Sequence, residues 1–164
     1  ANDGLVNYVL VNLGILDKPY NFLTQPFAAK IVIILALLWR WTGYNMVFFL
    51  SGLQNIEYSV YEAAKIDGAS AIQTFFKITV PLLKPTILLT AIMSTNGTLQ
   101  LFDESINLTD GGPANASISM SHYIYNLCFK YVPNFGYAAA MSFFILLLVA
   151  VLAFIQMRVG DKRD

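Results

Sequence analysis

Long apolar runs dominate this chain, separated by shorter polar stretches. Ile31 to Leu53 is a run of 23 residues interrupted by one charge, Arg40, and Tyr137 to Met157 is a run of 21 with none. A bilayer core needs about 20 mostly apolar residues per helix, so both runs predict membrane spans. Between them the chain is apolar from Pro85 onward and then polar at Asn96, Thr98 and Gln100. We read 85–104 as a third span whose polar half faces other helices or a cavity. The expected spans are therefore 31–53, 85–104 and 137–157.

The stretches between the spans carry their own signals. Met120, Ile124, Leu127, Cys128 and Tyr131 recur at helical spacing. They predict an amphipathic helix lying on or re-entering the membrane, with Ser117 as its cap and His122 on its polar, solvated side. Residues 4–14 predict a second interfacial helix, with Pro19 and Pro26 as breakers. Thr109-Asp-Gly-Gly-Pro113 is a turn cluster. Loop 57–81 predicts two short helices. Ser59 with Glu62, and Ser70 with Gln73, each fit a capping box. Gly68 suits the left-handed end of the first helix, and Pro81 is expected to close the second.

Composition supports a membrane protein. The 164 residues suffice for one domain; 57% are hydrophobic and 12% charged, where a soluble domain has about 25% charged. Mean hydropathy is +0.59. A net charge of zero gives no field that would favour nucleic acid. Cys128 is the single cysteine, and no Cys/His cluster has metal-ligand spacing. The chain opens at Ala1 without a Met or a leader-like segment, which suggests a piece of a longer protein. Basic residues set the orientation. Lys65, Lys77, Lys84, Arg158, Lys162 and Arg163 fall on one side and Lys18, Lys30 and Lys130 on the other, six against three. Loop 54–84 and the tail are thus expected in the cytoplasm, with 1–30 and 103–136 outside.

Glu62, Ala63, Ala64, Gly68, Ile78 and Pro81 together match E-A-A-x3-G-x9-I-x-[hydrophobic]-P. This pattern resembles the EAA loop of permeases of binding-protein-dependent ABC importers, with Val80 where Leu is usual. Tyr61-Glu-Ala-Ala with Ile66-Asp-Gly-Ala69 resembles the maltose and multiple-sugar branch. So do Gly52-Leu-Gln-Asn-Ile56, Thr109-Asp-Gly-Gly-Pro113 and Phe135-Gly-Tyr-Ala-Ala139. The resemblance implies an all-α membrane fold, the C-terminal portion of a roughly six-helix permease. It would have a cytoplasmic helix-turn-helix coupling loop and an outer interfacial helix, and would sit in the bacterial cytoplasmic membrane. It implies a second permease subunit, two ATPase subunits, an extracytoplasmic solute-binding protein and a sugar as partners. ATP and Mg would bind the ATPase subunits, with no cofactor and no catalytic residue on this chain. Glu62, Ala63, Ala64, Asp67 and Gly68 would form the ATPase interface.

The same resemblance implies that Gly43, Tyr44, Asn96, Gly97 and Gln100 line the solute pathway. Amides and hydroxyls suit sugar hydroxyl groups, and aromatic rings suit the apolar face of a sugar. Interhelical hydrogen bonding explains such polar residues equally well, and membrane-interface anchoring explains Trp39 and Trp41. Arg40 faces either the cavity or a neighbouring helix. Asp103 and Glu104 are expected at the outer end of the second span. As an alternative, those two acids with Arg40 would form the charge relay of an ion-coupled secondary transporter, which leaves the loop pattern unexplained. No nucleophile–base pair supports a membrane enzyme.

Overall fold

The computed structural model describes residues 4–160, and every regular element among them is helical. Helix α1 is Leu5–Asn12, α2 is Pro26–Gln54 and α3 is Tyr58–Ile66. Helix α4 opens as Ala71–Thr74, widens through a π turn at Phe75–Thr79 and ends as Val80–Leu82. Helix α5 is Lys84–Leu99, and Ser105–Thr109 is a second π turn. Helix α6 is Met120–Tyr125, continued by a π turn at Asn126–Lys130, and α7 is Phe135–Gly160. The expected tail residues Lys162 and Arg163 lie outside the described residues.

Helices α2, with 29 residues, and α7, with 26, are long and apolar enough to cross a membrane. Both outrun the predicted spans. Pro26 starts α2 rather than breaking it, because the first helical position needs no N–H donor. The middle span differs from expectation. Its 16 residues make α5 about 24 Å long, short of a hydrocarbon core of about 30 Å. It stops at Leu99, so Asp103 and Glu104 belong to the next helical segment and do not end a span. The run Asn96-Gly-Thr98 explains the early stop, since these are weak helix formers. Helices α4 and α5 meet at a 65° bend and pass for one span only if taken together.

The described residues fold into two compact units, one of residues 4–38 with 100–142 and one of 39–99 with 143–160. In the first, Asn7 is 3% exposed. Its amide donates to the Tyr20 carbonyl at 2.9 Å and accepts the Tyr20 N–H at 3.0 Å, tying α1 to the strand of chain before α2. The same unit corrects two expectations. Ser119, not Ser117, caps α6, accepting the His122 N–H at 3.2 Å. Ser117 instead turns back to the Gly112 carbonyl and the Thr109 hydroxyl. His122 is not solvated, because its ring is 0% exposed and packs against Ser105 and the Phe102 ring.

In the second unit α5 contacts both long helices through small residues. A Cβ on Gly52 would meet Thr86 Oγ1 at 2.8 Å and Leu83 at 2.9 Å, and one on Gly160 would meet Leu88 at 2.6 Å. These glycines let α5 approach the α2 and α7 backbones closely, the usual way helices pack where no hydrophobic effect drives them together.

Candidate functional site

Loop 57–81 builds its own shape from short-range chemistry. Gly68 has φ +74°, a conformation glycine tolerates without a side-chain clash. Its N–H donates to Lys65 O at 3.2 Å and that of Ala69 to Ala64 O at 3.0 Å. This crossed pair ends α3 as a Schellman motif. Ser70 then opens α4 with a complete capping box. Its hydroxyl accepts the Gln73 N–H at 3.3 Å, and its own N–H donates to Gln73 Oε1 at 2.8 Å. Tyr61 OH lies 3.3 Å from Thr79 Oγ1, which joins the two helices.

Two expectations for this loop do not hold. The Ser59 box is absent: α3 begins at Tyr58 with Glu57 in the cap position, so Ser59 falls inside the first turn and donates to Glu57 Oε2 at 3.2 Å. Pro81 does not close α4 either, since the helix runs on to Leu82. A proline inside a helix clashes with the carbonyl four residues back, here that of Lys77. The π turn Phe75–Thr79 widens the helix at that point, closing on a bond from Val80 N–H to Phe75 O. The break falls after Leu82, where Pro85 has no N–H to donate back into α4.

The interface residues divide by exposure. Glu62, Ala63, Asp67 and Gly68 are exposed, whereas Ala64 is 6% exposed and packs inward. Around the Gly68 turn stand apolar side chains that face away from the chain: Ile66 is 85%, Ile72 72% and Phe76 65% exposed. Their outward placement was not legible beforehand, because an apolar residue on a short amphipathic helix reads as its buried face.

The pathway residues fall into different settings. Gly43 is exposed with open space where a Cβ would stand, and Tyr44 is 43% exposed. The Tyr44 ring sits edge-on to Trp41 at 5.5 Å, and the Arg40 guanidinium lies 5.7 Å from the Trp41 ring centre. Asn96 is half-buried, and its amide makes no hydrogen bond to any described residue. Gly97 lies beneath the Trp41 indole, where any Cβ would collide with the ring. Gln100, exposed, follows the end of α5 and belongs to the other unit.

The residues before Asn96 do the interhelical bonding. The Asn45 amide donates to Ser94 Oγ at 3.0 Å. The Gln156 amide donates to Thr95 Oγ1 at 2.8 Å. Neighbouring hydroxyls on α5 therefore hold α2 on one side and α7 on the other. Asn45 and Ser94 stand 49 residues apart, and nothing in the local sequence of either signals the pairing.

Residues 5–163 match the family described as "Binding-protein-dependent transport system inner membrane component". The lactose transport system permease protein LacF of Rhizobium radiobacter is 55% identical over 163 residues, 98% of this chain and 55% of the relative. The trehalose/maltose transport system permease protein MalF of Thermococcus litoralis is 37% identical, over 98% of this chain and 53% of the relative. The chain thus spans about half the length of the relatives it matches. A crystal structure of a bacterial ABC transporter that imports the acidic polysaccharide alginate aligns with TM-score 0.78 at 26% identity, over 96% of this chain and 54% of that one. With the family match running along nearly the whole chain, this protein belongs to the binding-protein-dependent transport system inner membrane components.

Proposed function

We propose that the chain is part of the permease subunit of an ATP-driven importer for a sugar or oligosaccharide, delivered by an extracytoplasmic solute-binding protein. Curated relatives named for lactose, trehalose/maltose and multiple sugars support the substrate class. The alginate transporter solved with a pentasaccharide-bound periplasmic protein supports delivery by a binding protein. The observation that carries the mechanism is loop 57–81: two rigid short helices around a left-handed glycine, with Glu62, Ala63 and Asp67 outward and an apolar rim at Ile66, Ile72 and Phe76.

In this reading the protein lies in the bacterial cytoplasmic membrane with three spans, α5 forming most of the middle one. The loop, with Lys65, Lys77 and Lys84, faces the cytoplasm. It seats in an ATPase subunit, where Glu62 and Asp67 meet basic groups and Ala63 permits close approach. Ala64 supports the turn from within. ATP and Mg act on the two ATPase subunits, and closure of these moves the loop and the helices joined to it. A second permease subunit completes the pathway, to which Gly43, Tyr44, Asn96 and Gln100 contribute contacts; Gly97 shapes it by seating Trp41. The ion-coupled alternative through Asp103, Glu104 and Arg40 finds no support in this family.

The test is reconstitution of the full-length permease, its partner permease, the ATPase and the binding protein in proteoliposomes. ATP-dependent uptake of a sugar, stimulated by loaded binding protein, is expected. Uptake that proceeds without ATPase, driven by an ion gradient, would refute the proposal.

A further inference from the structure

Segment 103–131 holds a buried polar network that neither the loop nor the pathway uses. Ser105 and His122 are both 0% exposed. The Ser105 hydroxyl has three neighbours. It donates to the Ser117 carbonyl at 2.8 Å, accepts the Ser119 N–H at 3.2 Å and lies 2.9 Å from His122 Nδ1.

Donor accounting assigns the ring. A carbonyl only accepts and an amide N–H only donates. The single hydroxyl proton therefore goes to Ser117 and one lone pair to Ser119, so the second lone pair needs a donor from the ring. Nδ1 carries the proton. In the neutral ring Nε2 is then a bare acceptor. It is buried without a hydrogen bond, 3.6 Å from Asp110 Oδ1. Lys130 Nζ donates to both Asp110 oxygens at 2.9 Å, so that carboxylate already has a partner. Asp110 itself is fixed at φ +47° in the turn after the second π turn.

We propose that His122 is a positioning residue. Its neutral, Nδ1-protonated ring locks Ser105 and closes segment 105–130. A second proton, entering at Nε2, draws Asp110 from Lys130 and loosens the turn between them. The transport consequence rests on the importer reading, which puts this segment on the outer side, where the binding protein delivers solute.

Burial is the main influence on the ring and lowers its pKa from 6.5, with Asp110 opposing and Lys130 adding to the effect. Asp103 and Glu104 just before Ser105, Tyr123 and Tyr125 on α6, Cys128 in the π turn that continues it and Tyr131 just after complete the titratable groups of segment 103–131. A lowered histidine pKa means the fold favours the neutral form. The stability this lends is complete above 6.5 and is lost as pH falls from there toward the folded value.

These 164 residues hold one histidine, so 15N-labelling the permease, with any histidine outside them replaced, within the assembled, otherwise unlabelled importer isolates one ring. The Nδ1-protonated tautomer at about pH 7.5 is expected, titrating below 6.5. An Nε2-protonated ring at that pH, or a midpoint at or above 6.5, overturns the proposal. A kinetic arm reads delivery. As pH falls through the titration midpoint measured for the ring, KM for loaded binding protein in ATP turnover should rise roughly three- to ten-fold with kcat within about twofold. His122→Asn keeps an N–H for Ser105 but cannot titrate, and its KM should stay flat. A variant with the parent's pH profile, or a parent without one, counts against the proposal. Should His122→Asn not assemble, Asp110→Asn must lower the ring's titration midpoint, and an unmoved midpoint overturns the assignment. An importer with no binding-protein-driven turnover at any pH refutes the transport reading instead, and the tautomer measurement still decides the role of the ring.

Discussion

The Asn45 amide and the Ser94 hydroxyl bond across α2 and α5 at 3.0 Å, one residue before Thr95 takes the Gln156 amide from α7 at 2.8 Å. The two contacts key α5 to both long helices at one level. Interhelical hydrogen bonds in membranes average about 0.6 kcal/mol and reach about 1.7 kcal/mol. Ser94→Ala and Gln156→Leu should therefore each destabilise the permease by about 0.5–1.5 kcal/mol, read by denaturant unfolding in bilayers or mixed micelles. A double-mutant cycle of Asn45→Ala with Ser94→Ala should show coupling of similar size. Additive effects would mean that the contact carries no energy.

Gly97 is predicted to tolerate no side chain. Gly97→Val meets the Trp41 ring directly and should cost about 1–3 kcal/mol with loss of uptake. Trp41→Ala in the same chain removes the obstacle and should restore assembly at least in part. Gly43→Ala, where a Cβ finds open space, should leave stability unchanged. Equal damage from both glycine changes would argue against the packing account.

The loop's geometry makes a separable prediction. Gly68→Ala forces a left-handed residue with a Cβ and should cost about 1 kcal/mol, and Ser70→Ala should cost a similar amount through the lost cap. Gly68→Asn should be milder. Each should lower solute-stimulated ATP turnover while the membrane part still assembles.

Surface changes at the loop should act on association instead. Ile66→Asp and Glu62→Lys alter exposed side chains, so thermal stability of the isolated permease should hold within about 0.5 kcal/mol. Co-purification of the ATPase and coupled ATP turnover should both fall. Undiminished coupling in either variant would remove that residue from the docking surface.

Legibility in the sequence followed the range of the interaction. The Ser70–Gln73 box and the Gly68 turn need only residues within a few positions, and both stand where local chemistry put them. Ser59 failed although its spacing was right, because Glu57 took the cap position and shifted the helix start. Pro81 failed because a π turn relieved the clash that should have stopped the helix. The two long apolar helices were readable from composition alone, whereas the end of α5 depended on weak helix formers embedded in an otherwise apolar run. Of the pathway residues, Gly97 proved to be a seat for Trp41. His122 was misjudged for the same reason of range: its burial depends on Ser105, 17 residues earlier.

The bend at Leu83 has a mechanical meaning. Helices α4 and α5 meet at 65°, so they form a crank with its elbow next to the two prolines. A push on the short arm, delivered through the loop, becomes a sideways swing of the long one. With α5 about 24 Å long, a rotation of about 10° at the elbow carries its far end by about 4 Å. Asn96 rides near that end, so in the proposed reading a modest tilt at the elbow is enough to move an amide assigned to the solute pathway by about the length of a hydrogen bond.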